Sequence, residues 1–367
     1  MSILNQISAQ SPVRSGHKGV VNSGNVNPLL NEEFSSEVKG IFREKSIAEN
    51  FFNFETISGT DVLTHRRMGG TDIQKVTRGV VPSDSAVIFD SISIKIDTLV
   101  LSRNTMAKID EFLNNIDVRS KIAADQGKKH SDFKDKTLFN VAAKAAQVSA
   151  KVADKDADGL PTGTYTLVDG WVGNTSTNYV VKSQQCPDGW RGATSIELAN
   201  AGDENDADVL ERAIRDLVVD MEEKYVDVSE LTIFMRPASY NILLDSEKLI
   251  NTDYSVGNGD YAKHNVKLVA GLPVIKTTNL PKDADVGVEH LLSNAGNEFA
   301  YNVNQGDANV VALVLHKDSL LCGNLCPITS KIHYSDIYLQ WFIDTYCSFA
   351  CTPYDPRVSG GVFKADV

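Results

Sequence analysis

The segment from Asp117 to about Ala150 predicts a single long helix, which limits the folds open to this chain. Asp117 has the side chain of an N-cap. A helix of about thirty residues is about 45 Å long, which is more than a compact domain needs. We therefore expect it to lie across a flat sheet as a strut. Its first half is unusually polar for a packed helix (Lys128, Lys129, His130, Asp132), and its second half is small and apolar (Val141, Ala142, Ala143, Ala145, Ala146, Val148).

Composition limits the classes of protein to which the chain belongs. Its 367 residues are 42% hydrophobic, which suffices for two or three domains with real cores. Its formal charge of -12 argues against adhesion to nucleic acid by the overall field, so any DNA contact is local or weak. Five cysteines and no secretory leader predict reduced thiols and synthesis in the cytosol. No apolar run is long enough to span a bilayer, so no membrane partner is expected.

The N-terminal third consists of polar segments separated by apolar ones. Residues 1 to about 33 lack aromatic side chains, and we expect a disordered tail or an arm that orders on a partner. Residues 34–42 then show a helical pattern. Residues 55–85 are polar and predict a long two-stranded loop that does not belong to the core. Residues 86–102 predict one strand, with Ile92, Ile94 and Ile96 on a buried face and Leu99, Val100 and Leu101 buried on both faces.

The remaining chain mixes strands and helices. Residues 151–200 are dense in turn residues and predict a β-rich insertion around Trp171 and Trp190. An acidic amphipathic helix follows within 203–230, with its apolar face ending at Tyr225. Further elements are a strand before Pro237, a helix from Pro237, a strand bent at Gly271, a strongly apolar strand at 309–317, and one very long strand at 330–352 with Ile337, Leu339, Trp341 and Ile343 on one face. The fold class is therefore α+β.

A basic segment at residues 65–78, "HRRMGGTDIQKVTR", stands out in this acidic chain. It contains His65, Arg66, Arg67, Lys75 and Arg78 around a Gly pair. Three interpretations compete: a nucleic-acid contact, a flexible linker, and an arm that reaches onto an acidic neighbour. A stacking platform for nucleic acid would need interleaved aromatic residues, and none lies between Phe54 and Phe89. The arm interpretation is favoured.

The sequence contains few candidate catalytic or metal-binding motifs. It lacks a P-loop, a nucleophile elbow and an H-E-x-x-H motif. "DKDADG" at 154–159 resembles the start of a calcium loop, but Tyr165 occupies the position of its closing acid. The two C-x3-C pairs, Cys322/Cys326 and Cys347/Cys351, suit either zinc or a core, and the core is favoured. We predict no catalytic residue, no metal ligand and no cofactor. An enzyme is unsupported, and a host- or carbohydrate-binding module would use Trp171 and Trp190.

Five segments in order resemble the major capsid proteins of short-tailed, T-seven-like phages. They are "DVRSKIAADQG" from Asp117, Val118 and Arg119, "IFMRPASYNILL" with Pro237 and Tyr240, "GLPVIKTTNL" with Gly271 and Val274, "ALVLHKDSLLCG" with His316, and "PYDPRVSGGVFK" with Pro356, Gly361 and Phe363. The resemblance implies the tailed-phage capsid fold, often called the Hong Kong ninety-seven fold, and a structural protein of an icosahedral head that encloses double-stranded DNA.

The resemblance also implies a domain plan. Residues 1–54 would be an N-terminal arm, 55–90 an extended E-loop, 91–150 a P-domain with the long spine helix, and 151–200 an insertion. Residues 201–321 would be an A-domain, 322–352 the return strands of the P-domain, and 353–367 a strand returning to the A-domain. A crosslink at Lys75, known from some relatives, is not expected.

The implied partners are further copies in hexamers and pentamers, a separate scaffolding protein, a portal protein, a cement protein, and weakly held packaged DNA. Assembly would take place in the host bacterial cytoplasm. The basic residues at 65–78 would then contact acidic surface on an adjacent copy. The acidic candidates are Asp203, Glu204, Asp206, Asp208, Glu222 and Glu223.

Overall fold

The protein is an α+β fold in which two β-sheets share one long helix. The computed structural model describes residues 38–41, 46–68, 75–76, 78–79, 89–108, 118–148, 150–155, 161–168, 191–246, 259–260, 265–266, 268–297 and 299–365.

Five helices and sixteen strands are named within the described residues. The helices are α1 (Ala48–Phe51), α2 (Val118–Ala145), α3 (Ala207–Glu223), α4 (Pro237–Leu243) and α5 (Gln305–Ala308). The strands are β1 (Phe54–Thr56), β2 (Val62–Met68), β3 (Phe89–Lys95), β4 (Val100–Ala107), β5 (Ala150–Lys155), β6 (Pro161–Val168), β7 (Thr194–Glu197), β8 (Thr232–Met235), β9 (Gly259–Asp260), β10 (Asn265–Val266), β11 (Leu268–Val269), β12 (Leu272–Lys276), β13 (Val310–Leu315), β14 (Leu320–Ser335), β15 (Gln340–Pro353) and β16 (Ser359–Phe363).

The strands form two larger sheets and three two-stranded ribbons. The four-stranded sheet has the order β1-β14-β15-β4, with β1 parallel to β14 and the other pairs antiparallel. The six-stranded sheet has the order β11-β12-β8-β13-β16-β7. Its inner strand β13 is buried along its whole length, as its apolar sequence predicts. The ribbons are β2–β3, β5–β6 and β9–β10.

Helix α2 is the strut expected from the sequence, and it contacts both sheets. It begins at Val118 and ends at Ala145, so it stops about five residues before the predicted end. One core cluster joins its apolar side chains to residues of both sheets, including Phe234 of β8 and Trp341 of β15. Every residue from 137 to 148 is buried, so protein surrounds this end of the helix.

The polar first half of α2 hydrogen-bonds to the four-stranded sheet. Gln126 donates from Nε2 to Asn104 Oδ1 at 2.9 Å and accepts from the Thr345 hydroxyl at 2.6 Å. The His130 Nε2 atom lies 3.2 Å from the Thr345 carbonyl oxygen. Burial lowers the pKa of His130, which favours its neutral form. These side chains replace part of the apolar contact with directional bonds, and this explains the unusual sequence.

Helix α2 also holds the segment before β1. The Asp135 carboxylate accepts hydrogen bonds from Ser46 Oγ at 2.7 Å, Ile47 N at 2.9 Å and Ala48 N at 3.2 Å, and so caps α1. Burial nonetheless raises the pKa of Asp135. Gly127 lets the segment around Val38 pack closely against α2, since a Cβ at this position would lie 3.0 Å from the carbonyl oxygen of Val38. No local sequence pattern indicates these contacts, because the partners are far apart in the chain.

The strand predicted at 86–102 is two strands in different sheets. Ile92, Ile94 and Ile96 are buried as predicted. The expected burial of the Leu99–Leu101 run is wrong, because Leu99 is 56% and Leu101 is 48% exposed. The chain leaves the β2–β3 ribbon after Lys95 and enters β4 at the edge of the four-stranded sheet, where Leu101 and Arg103 are exposed.

Two other predicted single strands are hairpins. The long strand at 330–352 reverses direction between β14 and β15, and Ile337 and Leu339 in the turn are 86% and 61% exposed. Trp341 and Ile343 in β15 are buried, so the four residues do not share one face as predicted. The bend at Gly271 is a full reversal, since Ala270 and Gly271 both have positive φ, as a tight hairpin turn requires. Ile337 and Leu339 extend the apolar alternation of Trp341 and Ile343 into the turn, so periodicity alone does not reveal the β14–β15 reversal.

The acidic helix is confirmed as α3, but its apolar face ends at Met221. Tyr225 lies beyond the helix with φ 64° and is 93% exposed, contrary to the prediction. Strand β7 lies before residue 200 and pairs with β16 in the six-stranded sheet, so this part of the expected insertion belongs to that sheet. The β5–β6 ribbon agrees with the β structure predicted for the insertion. Trp171 and Trp190 lie outside the described residues.

A buried ion pair joins α2 to α5 beneath a neutral histidine. Lys144 Nζ lies 3.7 Å from Asp307 Oδ2, and both side chains are buried. His290 Nε2 lies 3.1 Å from Thr137 Oγ1, whose hydroxyl donates to the Phe133 carbonyl. His290 Nδ1 accepts from the backbone N–H of Leu292. Nε2 therefore carries the proton. Burial and the nearby Lys144 charge lower the pKa of His290 to about 4.

We predict that His290 destabilises the protein in mild acid. Its pKa is about 4 in the folded chain and about 6.5 in the unfolded chain, which therefore binds more protons between these values. The free energy of unfolding should fall by on the order of 3 kcal/mol from about pH 6.5 to about pH 4. Urea unfolding of wild type and His290→Gln at several pH values would measure this; parallel pH profiles would refute it.

We further predict that Gly361→Ala destabilises the six-stranded sheet. An added Cβ would lie 2.6 Å from the Phe363 ring and 3.1 Å from Ala146 Cβ. Such overpacking costs about 1–3 kcal/mol. Gly40→Ala is the control, because no atom of the described residues lies within 4 Å of its added Cβ. Urea unfolding should show a lower midpoint for Gly361→Ala alone, and an unchanged midpoint would contradict the close packing.

Candidate inter-subunit surfaces

The β2–β3 ribbon has a buried base and an exposed outer end. Its strands pair from Val62 opposite Lys95 to Met68 opposite Phe89. At the base, Ile92 and Ile94 belong to a small core cluster with residues of β14 and β15. At the outer end, Met68 is 54% and Phe89 is 70% exposed. The ribbon thus presents two large apolar side chains that are more than half exposed.

The five predicted basic residues of this region divide into two groups. Arg66, Lys75 and Arg78 are exposed and form no ion pair with any part of the chain that the structure describes. His65 Nε2 lies 3.0 Å from Glu55 Oε2. Arg67 is buried at 3% exposure and donates from Nη1 to the Tyr354 carbonyl at 3.0 Å. Arg67 therefore differs from expectation, since its side chain points into its own subunit.

The acidic candidates near the start of α3 serve local structure. Asp206 is the N-cap and accepts from the backbone N–H groups of Asp208 and Val209. Asp203 accepts from Asn200 N at 2.9 Å, and Glu204 accepts from Gly202 N at 2.9 Å. Negative side chains at a helix N-terminus are also favoured by the helix dipole. Three of these acids therefore have a role within the subunit.

Glu222 and Glu223 lie at the other end of α3. Both are exposed, and the last turn of the helix contains no basic residue. Acidic side chains at a helix C-terminus oppose the helix dipole and cost stability. This end of the helix is therefore the part of the acidic surface that local structure does not explain.

The residues matched by the family resemblance in the six-stranded sheet are structural. Pro237 begins α4, and Tyr240 is buried with Lys276 Nζ 4.5 Å from its ring centroid. Gly271 has φ 82° in the β11–β12 turn. Val274 of β12 pairs with Ile233 of β8.

The matched residues nearer the C-terminus lie in strands or in the turns beside them. His316 follows β13, and its Nε2 lies 2.9 Å from Glu230 Oε2. Pro356 is buried at the start of a short helical turn. Gly361 and Phe363 lie in β16, where Phe363 is 1% exposed. Of the matched start of the long helix, Val118 and Arg119 lie in the first turn of α2, and Asp117 is outside the described residues.

The cysteines of the described region contribute to packing. Cys322, Cys347 and Cys351 are part of the main core cluster, and burial raises the pKa of each thiol. Across the described ranges, no group of three His, Cys, Asp or Glu residues is arranged to hold a metal ion. No described helix combines the length and apolarity needed to cross a membrane.

The whole architecture is similar to solved phage capsid proteins. A subunit of the mature capsid of bacteriophage PhiM1 aligns with 20% identity and a TM-score of 0.68, covering 96% of this chain and 91% of that one. The capsid of cyanophage P-SCSP1u gives 19% identity and a TM-score of 0.69, covering 88% and 89%. A Mycobacterium phage Che8 chain gives 11% identity and a TM-score of 0.55, covering 86% and 90%. These likenesses establish the fold.

The sequence itself matches a family model. No curated protein matches it. The model described as Gp10A-like, major capsid protein, matches residues 92–321. Because this match spans more than half of the 367 residues, the protein belongs to the Gp10A-like major capsid proteins, structural subunits of the phage capsid with the Hong Kong ninety-seven fold.

Proposed function

We propose that this capsid protein forms the hexamers and pentamers of an icosahedral head in a short-tailed, T-seven-like phage, and that the head encloses double-stranded DNA. The observation that carries the proposal is the β2–β3 ribbon. Its outer end exposes Met68 and Phe89 together with the cation of Arg66. Identical subunits in a ring form heterologous contacts that close on themselves, and each ribbon can then cover its apolar end on the next copy.

In this proposal, residues 55–90 act as an E-loop and residues 1–54 as an arm. Both would gain stability by contact with neighbouring copies, as in other strand-addition complexes. Each subunit takes part in several such contacts, so their effects multiply across a shell. The domain plan given by the resemblance (P-domain at 91–150 and 322–352, insertion at 151–200, A-domain at 201–321, final strand at 353–367) belongs to the same proposal.

The contact surface of the ribbon would be the acidic end of α3 on the adjacent subunit. Arg66, Lys75 and Arg78 are exposed cations, and Glu222 and Glu223 are exposed acids. Opposite charges on two copies steer association and fix the register of the contact. Asp203, Glu204, Asp206 and Asp208 would add to the negative field without direct pairing.

The subunit alone forms capsomers and shells, and further partners give the head its correct size and its DNA entry point. We infer a separate scaffolding protein and a portal protein, both acting in the host bacterial cytoplasm, where heads would assemble before the protein becomes part of the virion. The negative charge of the chain supports a container role, because such a wall does not trap packaged DNA by general phosphate attraction.

The competing functions lack a specific observation. A host- or carbohydrate-binding module would depend on Trp171 and Trp190, which lie outside the described residues. An enzyme would depend on a convergent polar site, and the sequence supplies no motif for one. A structural role in the capsid needs neither.

Electron microscopy of the purified protein tests the proposal. We expect icosahedral shells or capsomers from the full chain, and fewer shells when residues 1–33 are deleted, because the arm would contribute contacts between copies. Circular dichroism should show equally folded subunits in both preparations. Discrete monomers or trimers of the full chain would refute the shell, and equal loss of folding and assembly on deletion would refute the arm.

A charge exchange tests the contact between ribbon and acidic helix. Arg66→Glu with Arg78→Glu should reduce shell yield at least tenfold while the subunit stays folded, since both side chains are exposed. Combining it with Glu222→Lys and Glu223→Lys should recover assembly. Arg66→Lys with Arg78→Lys is the control and should assemble normally. The pairing is wrong if the four-residue exchange assembles no better than the double reversal.

A further inference from the structure

The exposed side of α2 carries a row of lysines that shell assembly by the ribbon does not use. Exposed or half-exposed charged residues recur every three or four positions, so they lie on one face of the helix. This lysine row consists of Lys121, Asp125, Lys128, Lys129, Asp132 and Lys136. It ends at Lys136, where the helix becomes buried on all sides.

Three cations of the row are unpaired in the described structure. Lys129 Nζ lies 2.7 Å from Asp125 Oδ2, so these two charges neutralise each other. Lys121, Lys128 and Lys136 form no ion pair with the described parts of the chain. The row therefore has a net positive charge in a protein whose formal charge is -12.

On the face of the four-stranded sheet that points away from α2, the cations have partners within the subunit. Arg103 forms two hydrogen bonds to Asp344, at 2.7 and 2.8 Å. Lys331 Nζ lies 5.9 Å from the centroid of the Tyr346 ring. Cations on this face are engaged within the subunit, so the lysine row is the better candidate for an external anion.

We propose that the lysine row binds the phosphate backbone of packaged double-stranded DNA, weakly and without regard to sequence. This rests on the proposed function, in which the subunit is part of a wall around DNA. Lys121 and Lys136 are fifteen residues apart, or roughly 22 Å along the helix. A duplex carries one charge per about 1.7 Å, so the row faces on the order of a dozen phosphate charges.

The chemistry of the row favours DNA over a protein partner. None of the large exposed apolar side chains of the described residues lies between 121 and 136. The buried centre of a protein interface is depleted in lysine and enriched in aromatic residues. Lysine contacts a phosphate as a mobile point charge and gives no bidentate geometry. Two acids within the row keep its attraction small, which suits DNA that must enter and leave.

The test measures binding of the full-length subunit to a short labelled DNA duplex by fluorescence anisotropy. Lys121→Gln, Lys128→Gln and Lys136→Gln are combined in one variant. Each lost phosphate contact should lower the slope of log affinity against log salt by about 0.9, so the slope should decrease by about 2.7 between about 50 and 200 mM salt. Electron microscopy of the same variant should show normal shells.

Lys95→Gln, Lys317→Gln and Lys331→Gln form the matched control, with the same change in charge on lysines that have partners in their own subunit. This control should keep the wild-type slope. An equal decrease in both variants, or no salt-dependent binding by wild type, would overturn the proposal. Loss of shells with unchanged DNA binding in the lysine-row variant would assign the row to a protein partner instead. Failure of wild type to form shells would refute the proposed function separately.

Discussion

Burial of the second half of α2 is the constraint on which the rest of the structure depends. Residues 137–148 are surrounded by protein, and the same core cluster includes side chains from both sheets. Neither sheet can bury its inner face without this helix, so the two sheets are fixed relative to each other. Alanine at several of these positions lets the strands approach closely, and the buried pair of Lys144 and Asp307 adds a directional link to α5.

The first half of α2 has a different role, because only one side of it is covered. Gln126 and His130 hydrogen-bond to the four-stranded sheet, and Asp135 caps the segment before β1. The uncovered side holds the lysine row. One helix thus combines a core element, an attachment point for the N-terminal segment and a charged outer surface. These three features suit a capsid subunit, which needs a rigid core and specific contacts at its surface.

Periodicity predicted much of the fold. The long helix, the acidic helix, the start of α4 at Pro237 and the buried strand β13 all follow from the spacing of apolar residues and from caps. Periodicity does not reveal the β14–β15 reversal, because the exposed turn residues Ile337 and Leu339 extend the apolar alternation of β15. The reversal at Gly271 depends on positive φ at Ala270 and Gly271, which periodicity does not report. Tyr225 was assigned to the wrong surface since a helical count does not report where a helix ends. For the candidate site, charge alone selected residues 65–78, but it could not distinguish Arg67 from Arg66.

The fold class, the long helix and the basic segment follow from the amino-acid sequence, because they depend on local periodicity and composition. Which polar groups form contacts within the subunit depends on the tertiary structure. Arg67 is buried against Tyr354 and Asp206 caps a helix, whereas Arg66 and Glu222 remain exposed. Such partners are distant in sequence, as Asp135 is from Ser46 and Gly127 is from Val38. Their contacts follow from packing in three dimensions, which no local pattern records.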